Sequence, residues 1–328
     1  QVHMGSDFVI ALYAADEAAA NRAFQAAFAR IAALDACLSD YLSDSELVKL
    51  SAAAPTAEPV RVSDELFPVL WQAQQWAERT QGAFDITVGP LTKLWRRARR
   101  VRQLPDDDRL QQARGATGYR SLVLDPAART ARLLVPHMRL DLGGIGQGYA
   151  VDQAMQELEK LGIRQAIINA SGDLAASGPP PGEPGWLVGI APLEANAPPS
   201  VFGYLCHQAL STSGDAFQFV EIAGVRYSHI VDPRTGLGLT ERSSVSILAP
   251  TCTDADAFST AASVLGVHAG MELTDRLPDV EALFVVAEGD QVVTRQTQGF
   301  QQWALSARPK TTTGTASPPI SDSPAAPP

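Results

Sequence analysis

An α+β fold, with mixed and largely antiparallel sheets flanked by helices, follows from three features of this 328-residue chain. Apolar residues recur at three- and four-residue steps in several long segments, the mark of helices that bury one face. Short apolar runs pair across tight turns, as antiparallel hairpins do. The two kinds of segment are interspersed without a strand–helix–strand repeat, so a doubly wound parallel sheet is not expected. Hydrophobic residues make up 45% and charged residues 19% of the chain, which is enough to bury a core.

The elements follow in order. Phe8 to Tyr13 reads as a strand. A helix is expected from about Glu17 to Leu38, with Phe24, Phe28, Ile31, Leu34 and Leu38 on one face. Ser63 is placed to cap a second helix that turns Leu66, Val69, Leu70, Ala73, Trp76 and Ala77 inward. Gly82 to Thr87 is a loop entering a short apolar segment, and Arg96-Arg97-Ala98-Arg99-Arg100 reads as a solvated helix face. A third helix starts near Gly148 and ends at Gly162, a residue suited to the position after a helix. Gln165 to Asn169 is a short buried strand, and Gly178-Pro-Pro-Pro-Gly182 a surface loop. Phe217–Ile222 and Val225–Ile230 form a hairpin around Ala223-Gly224. A fourth helix begins after Thr253 and runs to about Leu265, and Glu281 to Ala287 is a late strand. From Ala307 onward, six prolines among Thr, Ser and Ala cannot bury a core. Residues 1–306 are therefore expected to fold, as one domain or two sub-domains, and 307–328 to form a disordered tail.

Composition excludes several functions. The net charge of −10 argues against a general nucleic-acid binder. No apolar run reaches the ~18 residues of a membrane span. The three cysteines, Cys37, Cys206 and Cys252, form no Cys-x-x-Cys, which excludes a zinc ribbon or dithiol motif.

Four segments carry chemistry. In Asp141-Leu-Gly-Gly-Ile-Gly-Gln-Gly-Tyr-Ala-Val-Asp152, four glycines precede a helix. Such a loop either cradles a phosphate at the helix start or packs tightly as a turn. It lacks the Lys-Ser/Thr of a P-loop and the spacing of a dinucleotide fingerprint. In Thr253-Asp-Ala-Asp256-Ala-Phe-Ser-Thr260, Asp256 and Thr260 share a helix face. They suit a hard cation such as Mg²⁺, while Thr253-x-x-Asp256 equally fits a capping box. His229 stands at a strand end before the turn Asp232-Pro-Arg-Thr-Gly236, where it is either displayed for function or structural. Ser211-Thr-Ser-Gly214 is a hydroxyl-rich turn that binds phosphate or caps.

Together, and in this order, these segments resemble the ApbE family, the FAD:protein FMN transferases. Met4-Gly5-Ser6, Tyr41-Leu-Ser-Asp-Ser-Glu-Leu47 and Gly82-Ala-Phe-Asp-Ile-Thr-Val-Gly-Pro-Leu91 match its wording as well. The resemblance runs from about Met4 to Gly266. It implies Mg²⁺-dependent transfer of FMN from FAD to a Thr or Ser hydroxyl of an acceptor protein, with release of AMP. Met4, Tyr41, Ala83, Phe84, Asp85, Asp141, Gln147, His229 and Ile230 would line the FAD site. Asp256 and Thr260, with backbone oxygen near Gly144, would hold Mg²⁺, which favours the metal over the capping reading of Asp256. His229 is the candidate general base. The implied acceptors are subunits of sodium-pumping quinone reductase or Rnf type, or secreted flavoproteins. The implied location is extracytoplasmic, in the periplasm, where members of the family are often lipoproteins. Two positions depart from the family pattern: Gln147 stands where many members carry Lys, and Ser171 replaces a glycine in Asn169-Ala-Ser-Gly-Asp173. A Mg²⁺-dependent FAD pyrophosphatase and a non-catalytic FAD-binding protein are the alternatives.

Overall fold

The computed structural model describes residues 1–305 apart from 192, 194–197, 216–217 and 290, so the expected tail lies outside the described residues. The chain opens on β1 (Val2–His3) and β2 (Ser6–Tyr13), followed by α1 (Glu17–Leu38), α2 (Glu46–Ala52) and β3 (Val60–Arg61). Three helices come next: α3 (Phe67–Arg79), α4 (Gly89–Val101) and α5 (Asp107–Gly115). The hairpin β4 (Leu122–Asp125) and β5 (Thr130–Leu133) leads to α6 (Gly146–Lys160). Then come β6 (Gln165–Ala170), β7 (Asp173–Ala176), β8 (Trp186–Ile190), β9 (Val201–Leu205) and β10 (Gln208–Gly214). After the hairpin β11 (Phe219–Ile222) and β12 (Val225–Ser228), the chain ends in β13 (Ser243–Ala249), α7 (Cys252–Thr274), β14 (Glu281–Glu288), β15 (Gln291–Gln296) and α8 (Gln298–Trp303).

Eight strands form one antiparallel sheet in the order β1-β2-β6-β7-β10-β13-β14-β15. Successive residues along a strand face opposite sides, and both sides are apolar here. Ile168, Ala209, Ile247 and Phe284 join the larger core with α1, α3, α6 and α7. Their neighbours Ile167, Leu210, Leu248 and Leu283 pack under the β8–β9 ribbon and Phe300 of α8. A sheet covered on both faces explains why consecutive residues of β6, Ala166-Ile167-Ile168, are all apolar rather than alternating.

Ser63 closes the turn before α3 rather than capping the helix: its Oγ accepts from Leu66 N at 3.2 Å, and Leu66 itself is the N-cap of α3, which has no side-chain cap. Several boundaries differ from expectation, among them the start of α7, which is Cys252 rather than a residue after Thr253. Helix α6 begins at Gly146 rather than Gly148. The second strand of the late hairpin stops at Ser228, so His229 lies just beyond it. The expected end of α7 near Leu265 corresponds to a break at Gly266 (φ 74°), after which helical turns resume.

A smaller apolar cluster lies apart from the sheet. Leu91, Trp95 and Ala98 of α4 pack with Ala113 of α5 and Val220 and Ile222 of β11. Trp95 Nε1–H donates to the Gly236 carbonyl at 2.8 Å, tying α4 to the turn beyond His229. This module carries one wall of the site.

Candidate active site

A cavity of about 480 Å³ opens between the glycine loop before α6, the first turns of α7 and the hairpin module. It brings together every residue singled out from the sequence: Met4, Tyr41, Ala83, Phe84, Asp85, Asp141, Gly144, Gln147, His229, Ile230, Asp256 and Thr260.

Two of the glycines stand where α7 leaves no room for a Cβ, Gly148 against its backbone and Gly144 against the Thr260 side chain. A Cβ on Gly148 would lie 2.3 Å from the Cys252 carbonyl oxygen, and one on Gly144 would lie 2.9 Å from Thr260 Oγ1. At this contact each helix satisfies orphan N–H groups of the other. Asp256 Oδ2 of α7 accepts from Gly148 N of α6 at 3.0 Å. In return, Asp152 of α6 accepts from Cys252 N (2.9 Å), Thr253 N (2.8 Å) and the Thr253 hydroxyl (2.6 Å). The cap of α7 is Thr251, whose hydroxyl accepts from Asp254 N at 3.1 Å and donates to Asp254 Oδ2 at 2.7 Å. The capping pair is thus Thr251 and Asp254. The alternative Thr253-x-x-Asp256 box is excluded by two residues of register, which leaves Asp256 to the cavity.

Asp256 is buried, and desolvation pushes its carboxyl well above the ordinary range, with the nearby Asp173 adding to the shift. Desolvation also pushes Asp173 up to about 7, opposed by the hydroxyl of Ser211, which donates to it at 2.6 Å. Hydroxyls continue from there: Ser211 to Ser259 at 3.0 Å, Ser259 to Ser213 at 2.8 Å, and Ser213 to Thr260 at 3.3 Å. Two buried carboxyls, both raised by desolvation and Asp256 further raised by Asp173, stand beside hydroxyl oxygens and the Gly144 backbone, a donor set that suits a hard cation. No group of three or more His, Cys, Asp or Glu side chains is placed to hold a metal among the described residues. Mg²⁺ fits such a sparse set, because it keeps waters and takes further oxygens from substrate phosphates.

Asp141 closes the other end of the glycine loop. Its Oδ1 accepts from Gly143 N at 2.9 Å, and its Oδ2 from the Thr92 hydroxyl (2.7 Å) and Arg96 (3.1 Å). Arg96 also pairs with Asp40 at 2.5 Å and lies over the Tyr41 ring at 4.5 Å. The reading of residues 96–100 as a solvated face is therefore corrected for Arg96 and Arg99, which both line the cavity. Thr92, Arg96 and Arg99 sit at i, i+4 and i+7 of α4, and that spacing was the available signal. Asp40 and Asp173 are further lining residues that were not expected at the site, and Ser213 reaches it from the hydroxyl-rich segment Ser211–Gly214. Asp85 borders the cavity with both oxygens engaged: Oδ1 takes Thr87 N (2.8 Å) and its hydroxyl (2.7 Å), and Oδ2 takes Tyr119 N (2.8 Å). Its work is to hold the loop that presents Ala83 and Phe84.

Gln147 Nε2 donates to Ser6 Oγ at 2.5 Å, which fastens the N-terminal turn to the loop. Met4 in that turn has φ 52°, and its N–H donates to Asp35 at 3.0 Å. Ser171 also sits in the left-handed region (φ 52°), where glycine is favoured, consistent with the family pattern from which it departs.

His229 faces this arrangement from the hairpin module. Its backbone N–H and its Nδ1 both meet the Gln218 carbonyl, at 3.0 and 3.1 Å. A carbonyl only accepts, so Nδ1 carries the proton and Nε2 keeps a lone pair. Desolvation lowers its pKa to about 4, helped by the Arg99 charge and opposed by the Gln218 carbonyl and Asp215. The ring is neutral at pH 7. Arg226 donates to the Asp215 carboxylate (2.5 Å) and carbonyl (2.6 Å), clamping the hairpin to the end of β10.

A family model described as the ApbE family matches residues 4–284. The chain belongs to the ApbE family. Among its curated relatives is an FAD:protein FMN transferase of Klebsiella pneumoniae (strain 342), 30% identical over 295 residues that span 89% of this chain and 90% of that protein. An FAD:protein FMN transferase of Treponema pallidum (strain Nichols) is 34% identical over 280 residues, spanning 81% and 77%. In structure, an ApbE protein of Thermotoga maritima superposes with a TM-score of 0.82 at 28% identity, covering 92% of this chain and 97% of that one. The flavin transferase ApbE of Vibrio cholerae gives 0.81 at 26%, with the same coverage.

The helix contact in this ApbE chain is testable by itself. Gly148→Ala puts a methyl against the backbone of Cys252, which cannot swing aside. A loss of about 3 kcal/mol is expected, the upper end of overpacking effects, read from the urea unfolding midpoint. An unchanged midpoint would mean that α6 and α7 do not touch at this point.

Proposed function

We propose that this protein transfers the FMN moiety of FAD to a Thr or Ser hydroxyl of an acceptor protein and releases AMP, with Mg²⁺ held by Asp256, Thr260 and the Gly144 carbonyl. One observation carries the reading. A neutral histidine whose Nε2 has no partner among the described residues shares a cavity with a glycine-lined helix start and a pair of buried carboxyls that suit a cation. The helix start suits a diphosphate. His229 Nε2 takes the proton of the acceptor hydroxyl as its oxygen attacks the FMN phosphorus. The bond from that phosphorus to the oxygen bridging toward the AMP phosphate breaks, and AMP leaves with the bridging oxygen. Bound Mg²⁺ neutralises the phosphoryl oxygens and stabilises the leaving phosphate. Asp141, Thr92 and Arg96 hold the loop in place for the diphosphate, and Tyr41 offers a ring at the rim. The same reading places the enzyme outside the cytoplasm, acting on respiratory quinone-reductase or Rnf-type subunits or on secreted flavoproteins. Among the described residues no helix is long and apolar enough to cross a membrane.

The test is mass spectrometry of a candidate acceptor after incubation with FAD and Mg²⁺, which should gain one FMN. AMP released equally with and without acceptor identifies a hydrolase instead, and FAD bound with no AMP released identifies a binding protein.

Gln147 supplies a second expectation. A neutral amide offers the diphosphate a bond roughly half as strong as a charged donor would. Gln147→Lys should tighten FAD binding, most at low Mg²⁺ and low salt, where screening is least. Equal affinities under all conditions, measured by FAD titration, would place Gln147 away from the diphosphate.

A further inference from the structure

The outer face of α4 is not used by the site just described. Between residues 93 and 102 the chain carries six cations, Lys93, Arg96, Arg97, Arg99, Arg100 and Arg102, and no acid, although its net charge is −10. Two of them turn to the cavity: Arg96 is paired with Asp40 and Asp141, and Arg99 donates to the side-chain oxygen of Gln218 at 3.1 Å and makes no ion pair among the described residues. Lys93, Arg97 and Arg100 are exposed and make no ion pair among the described residues. They stand at i, i+4 and i+7, one ridge of the helix beside the cavity ridge of Thr92, Arg96 and Arg99. Cations near a helix C-terminus complement its dipole, which accounts for Arg100 and Arg102. Lys93 and Arg97 lie outside that last turn, and the dipole gives no reason for them. The result is a strip of positive charge that begins inside the cavity, near His229, and continues over its rim.

We propose that this strip docks an acidic segment of the acceptor protein next to the hydroxyl that receives FMN. The proposal rests on the transferase reading, and it deepens that reading by naming the chemistry that recognises the acceptor. A chain threading toward His229 must pass Arg99 and the rim, and carboxylates on it would meet uncompensated guanidinium groups. An anionic bilayer is the other surface that a basic ridge can meet. It is disfavoured because Asp106, Asp107 and Asp108 follow the ridge directly at the start of α5, where a negatively charged plane would confront them as well. A narrow segment of chain avoids them.

The test is fluorescence anisotropy with two labelled peptides of about fifteen residues. Each has one central Thr; one has four flanking Asp, and the other Asn at the same places. The protein carries bound FAD and Mg²⁺. The Asp peptide should bind, and raising NaCl from about 50 to about 300 mM should weaken it, because exposed charges are screened. Lys93→Glu, Arg97→Glu and Arg100→Glu combined should weaken it on the order of tenfold or more, given three exposed pairs turned repulsive. The same three sites changed to Gln should fall between, which guards against a folding defect in the reversed variant. FAD affinity should be unchanged in both variants. Equal binding of the two peptides, or no response to the substitutions, overturns the proposal. So does binding of phosphatidylglycerol vesicles that depends on the ridge while the Asp peptide does not bind. FMN transfer is scored separately, on the candidate acceptor protein. Its absence with the wild-type protein would sink the transferase reading and leave the anisotropy result standing.

Discussion

Replacing Asp256 by Asn should reduce FMN transfer on the order of 10³-fold or more while the protein stays folded. The size follows from the several kcal/mol that a bound cation contributes to phosphoryl chemistry, at about 1.4 kcal/mol per tenfold in rate. Asn keeps an oxygen for Gly148 N and the volume of the side chain, so the contact between α6 and α7 survives. It removes the charge that a hard cation needs. Without metal the variant should be the more stable protein at neutral pH. Asp173 is raised to about 7 and Asp256 is raised as well, each by burial first. A carboxyl raised on folding leaves stability intact below its unfolded pKa and loses it as pH climbs through the folded value. Metal-free wild type should therefore lose stability between about pH 4 and 7, and Mg²⁺ should restore it at the upper end. The Asn variant should show a smaller loss and no response to Mg²⁺. Calorimetry at pH 5 and pH 8, with and without Mg²⁺, reads these effects. A folded variant with full transfer activity would remove Asp256 from the metal site.

How much of this was legible in the sequence depended on whether local chemistry or the fold decided the matter. The glycine loop was legible because glycine allows close approach of backbone, which Gly148 against Cys252 requires. The late hairpin was legible because its turn, Ala223-Gly224, takes positive φ at both residues. Asp256 was ambiguous for a definite reason. Two threonines precede it, and only the fold shows that Thr251 caps α7 while Thr253 serves Asp152. The arginines of α4 were misread because a run of charge is usually solvated. Their phase on the helix sends Arg96 and Arg99 inward and leaves Arg97 and Arg100 outside, and a run of like residues hides that division. The order of the eight-stranded sheet, which sets β10 between β7 and β13, rests on pairings distant along the chain that no local pattern carries.

His229→Ala should slow transfer by ~10²–10⁴-fold, the usual contribution of a general base, and leave FAD binding nearly intact. The structure gives the reason for both halves. The ring is held by one bond, Nδ1–H to the Gln218 carbonyl, and presents Nε2 to the cavity with no partner among the described residues. The end proposed for the diphosphate is built by other elements: the glycine loop, Asp141 with Arg96, and Asp256. With a pKa lowered to about 4, His229 is already deprotonated across the physiological range. As far as this residue is concerned, kcat/KM for the acceptor should be level from about pH 5 to 8 and fall only as pH drops through about 4. The same shift enters stability with the sign of a group depressed on folding. The neutral ring is fully accommodated above the unfolded pKa of about 6.5, and that share of stability is lost as pH falls toward 4. The Ala variant should lack this acid-side loss. Exogenous imidazole is the sharper test, because it can enter the space the ring leaves and take the hydroxyl proton. Partial rescue of transfer, with no change in FAD affinity, is the expected result. Loss of FAD binding in parallel with activity would make His229 a binding residue and move the base elsewhere in the cavity.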